Sequence, residues 1–162
     1  WATVEWIKFG RPSVIGIVTG MVAGLATITP AAGFVGPVGG LIIGLVSGIV
    51  CQWMTAWIKH RIKIDDSLDV FAVHGVGGIL GTLMVSFLAL ESFQGLGLAG
   101  GMGVGDHLWV QTVGVVSVAA WSAVASFVII KIASAIFGLR VAEEDEIEGL
   151  DITAHGERSY DF

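Results

Sequence analysis

His74 lies within Asp69–Leu90, DVFAVHGVGGILGTLMVSFLAL, an apolar run long enough to cross a bilayer as one helix. An ionisable ring at that depth carries a desolvation cost unless a partner or a wet cavity meets it, so it marks a transport path or an interhelical contact. Neutral imidazole offers one donor and one acceptor nitrogen. That chemistry suits proton relay, or contact with a small polar solute, without a fixed charge. On an ideal helix Val70, Gly77 and Gly78 fall three or four residues away on the same side, so the ring has apolar and very small neighbours. Two readings stand: the wall of a narrow passage, or a histidine bonded to a carbonyl of a neighbouring helix.

Asp69 precedes His74 by five residues, about 7.5 Å along the axis and roughly 500° around it, so it points away from the histidine face. An acidic residue at a helix start stabilises unpaired amides and the positive dipole end. Asp69 is therefore assigned to the helix start, as cap or anchor, and Asp65 and Asp66 to the loop or cap.

Other chemistries find no support. His60, His74, His107 and His155 are too dispersed for a short metal motif, and the chain has neither HExxH nor a Walker-type loop. Ser47 and Ser86 are outside any GxSxG elbow. Cys51 is the only cysteine, so no disulfide can form within the chain. The net charge of -6 gathers in the tail and gives no footprint for nucleic acid. Transport rather than enzyme activity, with no metal or cofactor, is the expectation; a proton-coupled membrane enzyme stays open, although the chain lacks an evident catalytic pair.

The elements that must carry His74 follow from composition. Of 162 residues, 54% are apolar and 14% charged, and the charges cluster between apolar segments. Four such segments, Ser13 to Thr29, Val38 to Ile58, Val70 to Leu90 and Leu108 to Leu139, predict an all-α polytopic membrane protein. The first is short for a bilayer. The last would be roughly 48 Å long as one helix, protruding so that Lys131 snorkels toward headgroups. Lys8 and Arg11, then Lys59, Arg61 and Lys63, then Lys131 and Arg140 fall at alternate ends, while 30–37 and 91–107 carry no Lys or Arg. The positive-inside rule puts the start, the middle loop and the tail on the cytoplasmic side of a cell membrane.

Gly16, Gly20 and Gly24, then Gly36, Gly40, Gly44 and Gly48, then Gly77 and Gly81 recur every four residues, the pattern of closely packed helices in lipid. TPAAGFVGPVGG, 29–40, reads as a tight re-entrant outer loop or as a simple external turn. Trp1, Trp6, Trp53, Trp57 and Trp109 sit near span ends, as interfacial anchors do. Trp121 is central in the last span, where packing against a helix is favoured over lining a path.

Residues 1–12 read as the end of a preceding span and a cytoplasmic loop, 13–140 as the four-helix transmembrane portion, and 141–162 as a cytoplasmic regulatory tail. The tail opens on Glu143, Glu144, Asp145, Glu146 and Glu148, a run typical of a solvated face. Asp151, His155, Gly156, Glu157 and Tyr160 then suggest a folded contact. Pairing of the acids with Arg61 and Lys63 would add little if exposed.

Three segments, GRPSVIGIVTGMVAGLATITPAAGFVGPVGG, LDVFAVHGVGGILG and GLRVAEEDEIEGLDITAHGERSY, together resemble the C-terminal portion of the ammonium transporter family, related more distantly to Rhesus-type proteins. The resemblance covers nearly the whole chain. It implies an eleven-helix fold in the full protomer, with the end of the seventh span and spans eight to eleven here, and three protomers each with its own path. It implies that His74 is one of two paired pore histidines, its partner lying on missing N-terminal spans, and that Val70 is an apolar pore-wall residue. Asp69 matches the family's acidic position at the helix start. The resemblance also implies a tail that packs on inner loops, with Thr153 near a regulatory phosphorylation position, and a PII-type nitrogen-signalling protein as a cytoplasmic partner. A phosphate on Thr153 would add roughly two negative charges to an acidic segment. The expected activity is passage of ammonium or ammonia through a narrow apolar pore. The alternative is a noncatalytic membrane partner or regulatory subunit.

Overall fold

The computed structural model describes residues 1–158. Among the described residues, four helices are long and apolar enough to cross a membrane: Val14–Ala31, Pro37–Ile62, Phe71–Leu88 and Val104–Phe137. They match the four apolar segments, and the fold is all-α and multi-span. The chain divides into two compact units, Trp1–Val116 and Ser117–Phe162.

In the first unit α1 (Ala2–Phe9) ends on left-handed Gly10, with φ 76°. The Glu5 carboxylate reaches over the next turn, accepting the Ser13 N–H at 2.7 Å and its hydroxyl at 3.0 Å. Ser13 then caps α2 (Val14–Ile28) by accepting the Gly16 N–H at 2.9 Å. A single 3₁₀ turn, Thr29–Ala31, lengthens this otherwise short span. Pro37 opens α3 (Pro37–Trp57) at a position where its missing N–H costs nothing. The helix continues through a π-helical turn, Ile58–Ile62, beyond the boundary expected at Ile58.

The third span consists of a π-helical turn, Phe71–Val76, followed by α4 (Gly77–Leu88). Small residues set how it packs on α2. A Cβ at Gly81 would collide with the backbone oxygen of Thr27, and one at Gly77 would stand 2.7 Å from the Thr27 hydroxyl. Gly24 and Gly44 bring α2 and α3 together, a Cβ at Gly24 lying 4.0 Å from the Gly44 Cα. Backbones approach at these points because no side chain intervenes, the usual solution where lipid removes the hydrophobic drive for helix association. A buried hydrogen bond of 2.8 Å between the Thr27 and Ser47 hydroxyls joins α2 to α3. The core is thin and divides in two: Ala23, Cys51 and Val73 at one level, and Ala31, Ile43, Val85, Leu88 and Ala89 at the other.

Segment 29–40 forms a compact turn against the connection after α4. Phe34 accepts the Leu96 N–H at 3.0 Å, and Gly36 packs on the backbone of Gln94. Within the turn, the Ala31 carbonyl accepts the Phe34 N–H at 3.0 Å and the Val35 N–H at 3.2 Å.

A single helix, α5 (Val104–Phe137), forms the last span, as the 32-residue segment predicts. In the second unit, Lys131 lies 5.6 Å from the centre of the Phe127 ring one turn back. The ammonium thus turns back toward the middle of the helix, over an aromatic face, rather than on toward the C-terminal end of the span where snorkelling would take it. Two short helices follow, α6 (Glu143–Glu148) and α7 (Leu150–His155).

Candidate functional site

The start of the third span is built from two acids, a lysine and a widened helical turn. Asp66 supplies the cap: its Oδ1 accepts the Val70 N–H at 2.8 Å and its Oδ2 the Phe71 N–H at 2.9 Å. The capping role that sequence offers to Asp69 therefore belongs to Asp66, since a carboxylate three residues further back can loop under the first free amides. Asp69 anchors the helix differently. Its carboxylate pairs with Lys59 Nζ at 2.8 Å, while its backbone sits in the left-handed region at φ 56°. Its carbonyl accepts the Val73 N–H at 2.8 Å.

His74 falls inside the π-helical turn, where the hydrogen-bond ladder is one residue wider than in an α-helix. Within this turn Ala72 and Val73 are buried. The imidazole of His74 is exposed, as is Val70 at 52%. Gly78 opens onto free space, whereas Gly77 and Gly81 face the core. Val70, His74 and Gly78 thus share an open face rather than a closed passage within these residues. The π turn had no signal in the spacing of apolar residues. The glycines at 75, 77 and 78 show only that this stretch lacks bulk.

Sequence reasoning also passed over the Ser86–His107 pair, 21 positions apart. The Ser86 hydroxyl is fully buried and lies 2.9 Å from His107 Nδ1. His107 and Gln111 border a cavity of about 270 Å³ whose other walls include Pro30, Phe34, Val85 and Leu98.

The tail residues lie on or after α7. Thr153 donates to the Gly149 carbonyl at 3.3 Å, and Gly156 ends the helix at φ 66° with its N–H turned back to Asp151 and Ile152. The Glu157 N–H reaches the Asp151 carbonyl at 2.8 Å. Asp151, Gly156 and Glu157 are thus joined through a backbone cap, with His155 as the last helical residue. Tyr160 lies outside the described residues. Arg140 holds Glu146 by two hydrogen bonds, 2.8 and 3.0 Å. These lower the Glu146 carboxyl below its ordinary range, with the guanidinium charge adding to the effect. Trp121 is 74% exposed rather than packed inside the chain.

The model of the Ammonium Transporter Family matches residues 1–160. The chain belongs to that family. Among curated relatives of this transporter family, it is 43% identical to the ammonium transporter of Bacillus subtilis, over 99% of this chain and 40% of that protein. It is 42% identical to the ammonium transporter Amt1 of Archaeoglobus fulgidus, with the same coverage. Among solved structures, the chain resembles a "Sensor Amt Protein" with a TM-score of 0.83 and 32% identity, over 93% of this chain and 36% of that one. It also resembles a Candida albicans Mep2 mutant with a TM-score of 0.71 and 36% identity, over 86% of this chain and 36% of that one. The chain spans about 40% of the length of the curated relatives named here.

Proposed function

We propose that this chain supplies part of the conduction path of an ammonium or ammonia transporter, with His74 and Val70 on the path wall. The observation that carries the reading is His74 itself, an exposed imidazole on an apolar span of a chain in this family. Lipid tails are a costly neighbour for such a ring, so the face bearing Val70, His74 and Gly78 is the one against which further spans close. A second histidine on those spans would complete the pair. Enclosed there, a neutral ring can exchange hydrogen bonds with a small nitrogen solute without presenting a full charge. Further spans would come from a longer protomer, three protomers would assemble, and the tail would lie in the cytoplasm where a nitrogen-signalling protein of the PII type could reach it.

The test is uptake of an ammonium analogue into proteoliposomes, by the protein with its upstream spans and by this chain alone, each with and without His74→Ala. Uptake by the longer protein only, lost or altered on His74→Ala, supports the reading. Uptake by neither, with assembly retained, favours a noncatalytic membrane partner.

A further inference from the structure

We infer that Lys59 is a positioning residue for His74, acting through its ion pair with Asp69; the inference rests on the transport reading only for its consequence, not for its geometry. The third span is fixed at two places. On one side Gly77 and Gly81 are seated against Thr27, where no side chain can be inserted. On the other, the chain is tied down at Asp66 and Asp69. Asp69 is the last residue before the helix, and it holds a left-handed backbone that side-chain-bearing residues disfavour. Three contacts hold it there: its N–H to the Asp66 carbonyl at 3.2 Å, its carbonyl to the Val73 N–H at 2.8 Å, and its carboxylate to Lys59 at 2.8 Å. Only the last reaches another span.

Between these two anchors the chain forms a π turn, which accommodates one residue more per turn than an α-helix ladder does. His74 lies in that turn. Releasing the Asp69 anchor lets the turn relax toward α-helix and rotates the residues ahead of Gly77 by about one residue step, roughly 100°. Val73 would leave its pocket beside Ala23 and Cys51, and His74 would leave its face. The pair is suited to this task because it is partly sheltered, with side-chain exposures of 38% for Lys59 and 16% for Asp69. Lys59 itself projects from the π-helical turn at the end of the second span, so one charge contact links the two widened turns.

The experiment measures diethyl pyrocarbonate modification of His74, read peptide by peptide across a pH series, in the protein with its upstream spans. Plateau rate reports exposure of the ring and midpoint reports its protonation. Variants are Lys59→Met, Asp69→Asn and Lys59→Arg; asparagine keeps the tolerance for a left-handed backbone and removes only the charge. The expected result is a severalfold change in the His74 plateau in Lys59→Met and Asp69→Asn, a fall in maximal analogue uptake in both, and wild-type values in Lys59→Arg, which keeps the ion pair. If Asp69→Asn fails to fold, Lys59→Met carries the test, since it leaves the left-handed position untouched. An unchanged plateau in folded Lys59→Met or Asp69→Asn, or an altered one in folded Lys59→Arg, overturns the inference. Wild-type uptake by His74→Ala would defeat the transport role of His74 while leaving the plateau measurement to decide the positioning.

Discussion

Val73 and His74 are consecutive residues with opposite surroundings: Val73 is 2% exposed, between Ala23 and Cys51, and His74 stands open on the other side of the same turn. The first belongs to the packing of this chain and the second does not. His74→Ala should accordingly leave the stability of this chain by itself nearly unchanged, within about 0.5 kcal/mol, as surface substitutions away from special features do. Analogue uptake should fall or change its pH dependence. A large loss of stability without a transport change would assign His74 to packing instead.

The glycines of the third span separate in the same way. Gly81→Ala pushes a methyl group into the Thr27 backbone and should cost about 1–3 kcal/mol, as overpacking does. Gly78→Ala meets no atom of this chain. It should leave stability in place and, if other spans close over this face, reduce uptake. Thermal melts in detergent and proteoliposome uptake, run on both variants, should give opposite rankings.

The spans were legible because lipid imposes a simple rule, and the segments Val38 to Ile58 and Leu108 to Leu139 differ from α3 and α5 only near their ends. Gly77 and Gly81 were legible as contacts because a four-residue repeat of glycine has few other uses in an apolar helix. Asp66 and Asp69 were interchangeable in sequence, since any acid near a helix start fits the same electrostatic demand. Their separation into a cap and an ion pair depends on the path of the 63–69 loop and on Lys59, which lies ten positions before Asp69. The π turn at His74 was invisible for a related reason: it is a compromise between two anchors that only the packed spans define. The open face could not be read either, because burial of a helix surface depends on which neighbours are present.

The Thr27–Ser47 hydrogen bond joins two spans between fully buried side chains, yet such bonds are modest because the separated helices find other partners. A double-mutant cycle with Thr27→Val and Ser47→Ala, followed by denaturation in detergent or bicelles, should give a coupling near 0.6 kcal/mol and no more than about 1.7 kcal/mol. Ser47 also lies 3.8 Å from the Cys51 thiol. That weak second partner keeps the coupling toward the lower figure.

Glu146 makes the tail sensitive to acid. Its carboxyl is depressed from the ordinary 4.5, first by the hydrogen bonds from Arg140. A group with a lowered folded-state pKa contributes fully above its unfolded value and loses that contribution as pH falls through the folded one. The link from Arg140 to α6 should therefore persist at neutral pH and disappear at pH values below the ordinary carboxylate range. Protection from amide exchange in residues 143–148, corrected for the intrinsic pH dependence, should fall to the level of Glu146→Gln under acid and exceed it at neutral pH.

Asp66 departs from an ordinary helix cap in using both carboxylate oxygens, one for Val70 and one for Phe71. At a usual N-cap asparagine replaces aspartate with little loss, because one acceptor oxygen is enough. Here the amide side chain has only one oxygen to offer two N–H donors. Asp66→Ala should cost about 0.5–2 kcal/mol. Asp66→Asn should fall between Asp66→Ala and wild type rather than matching wild type, and a thermal or chemical melt of the three proteins gives the ordering. Equality of asparagine and aspartate would mean that only one of the two hydrogen bonds contributes to holding the start of the helix that carries His74.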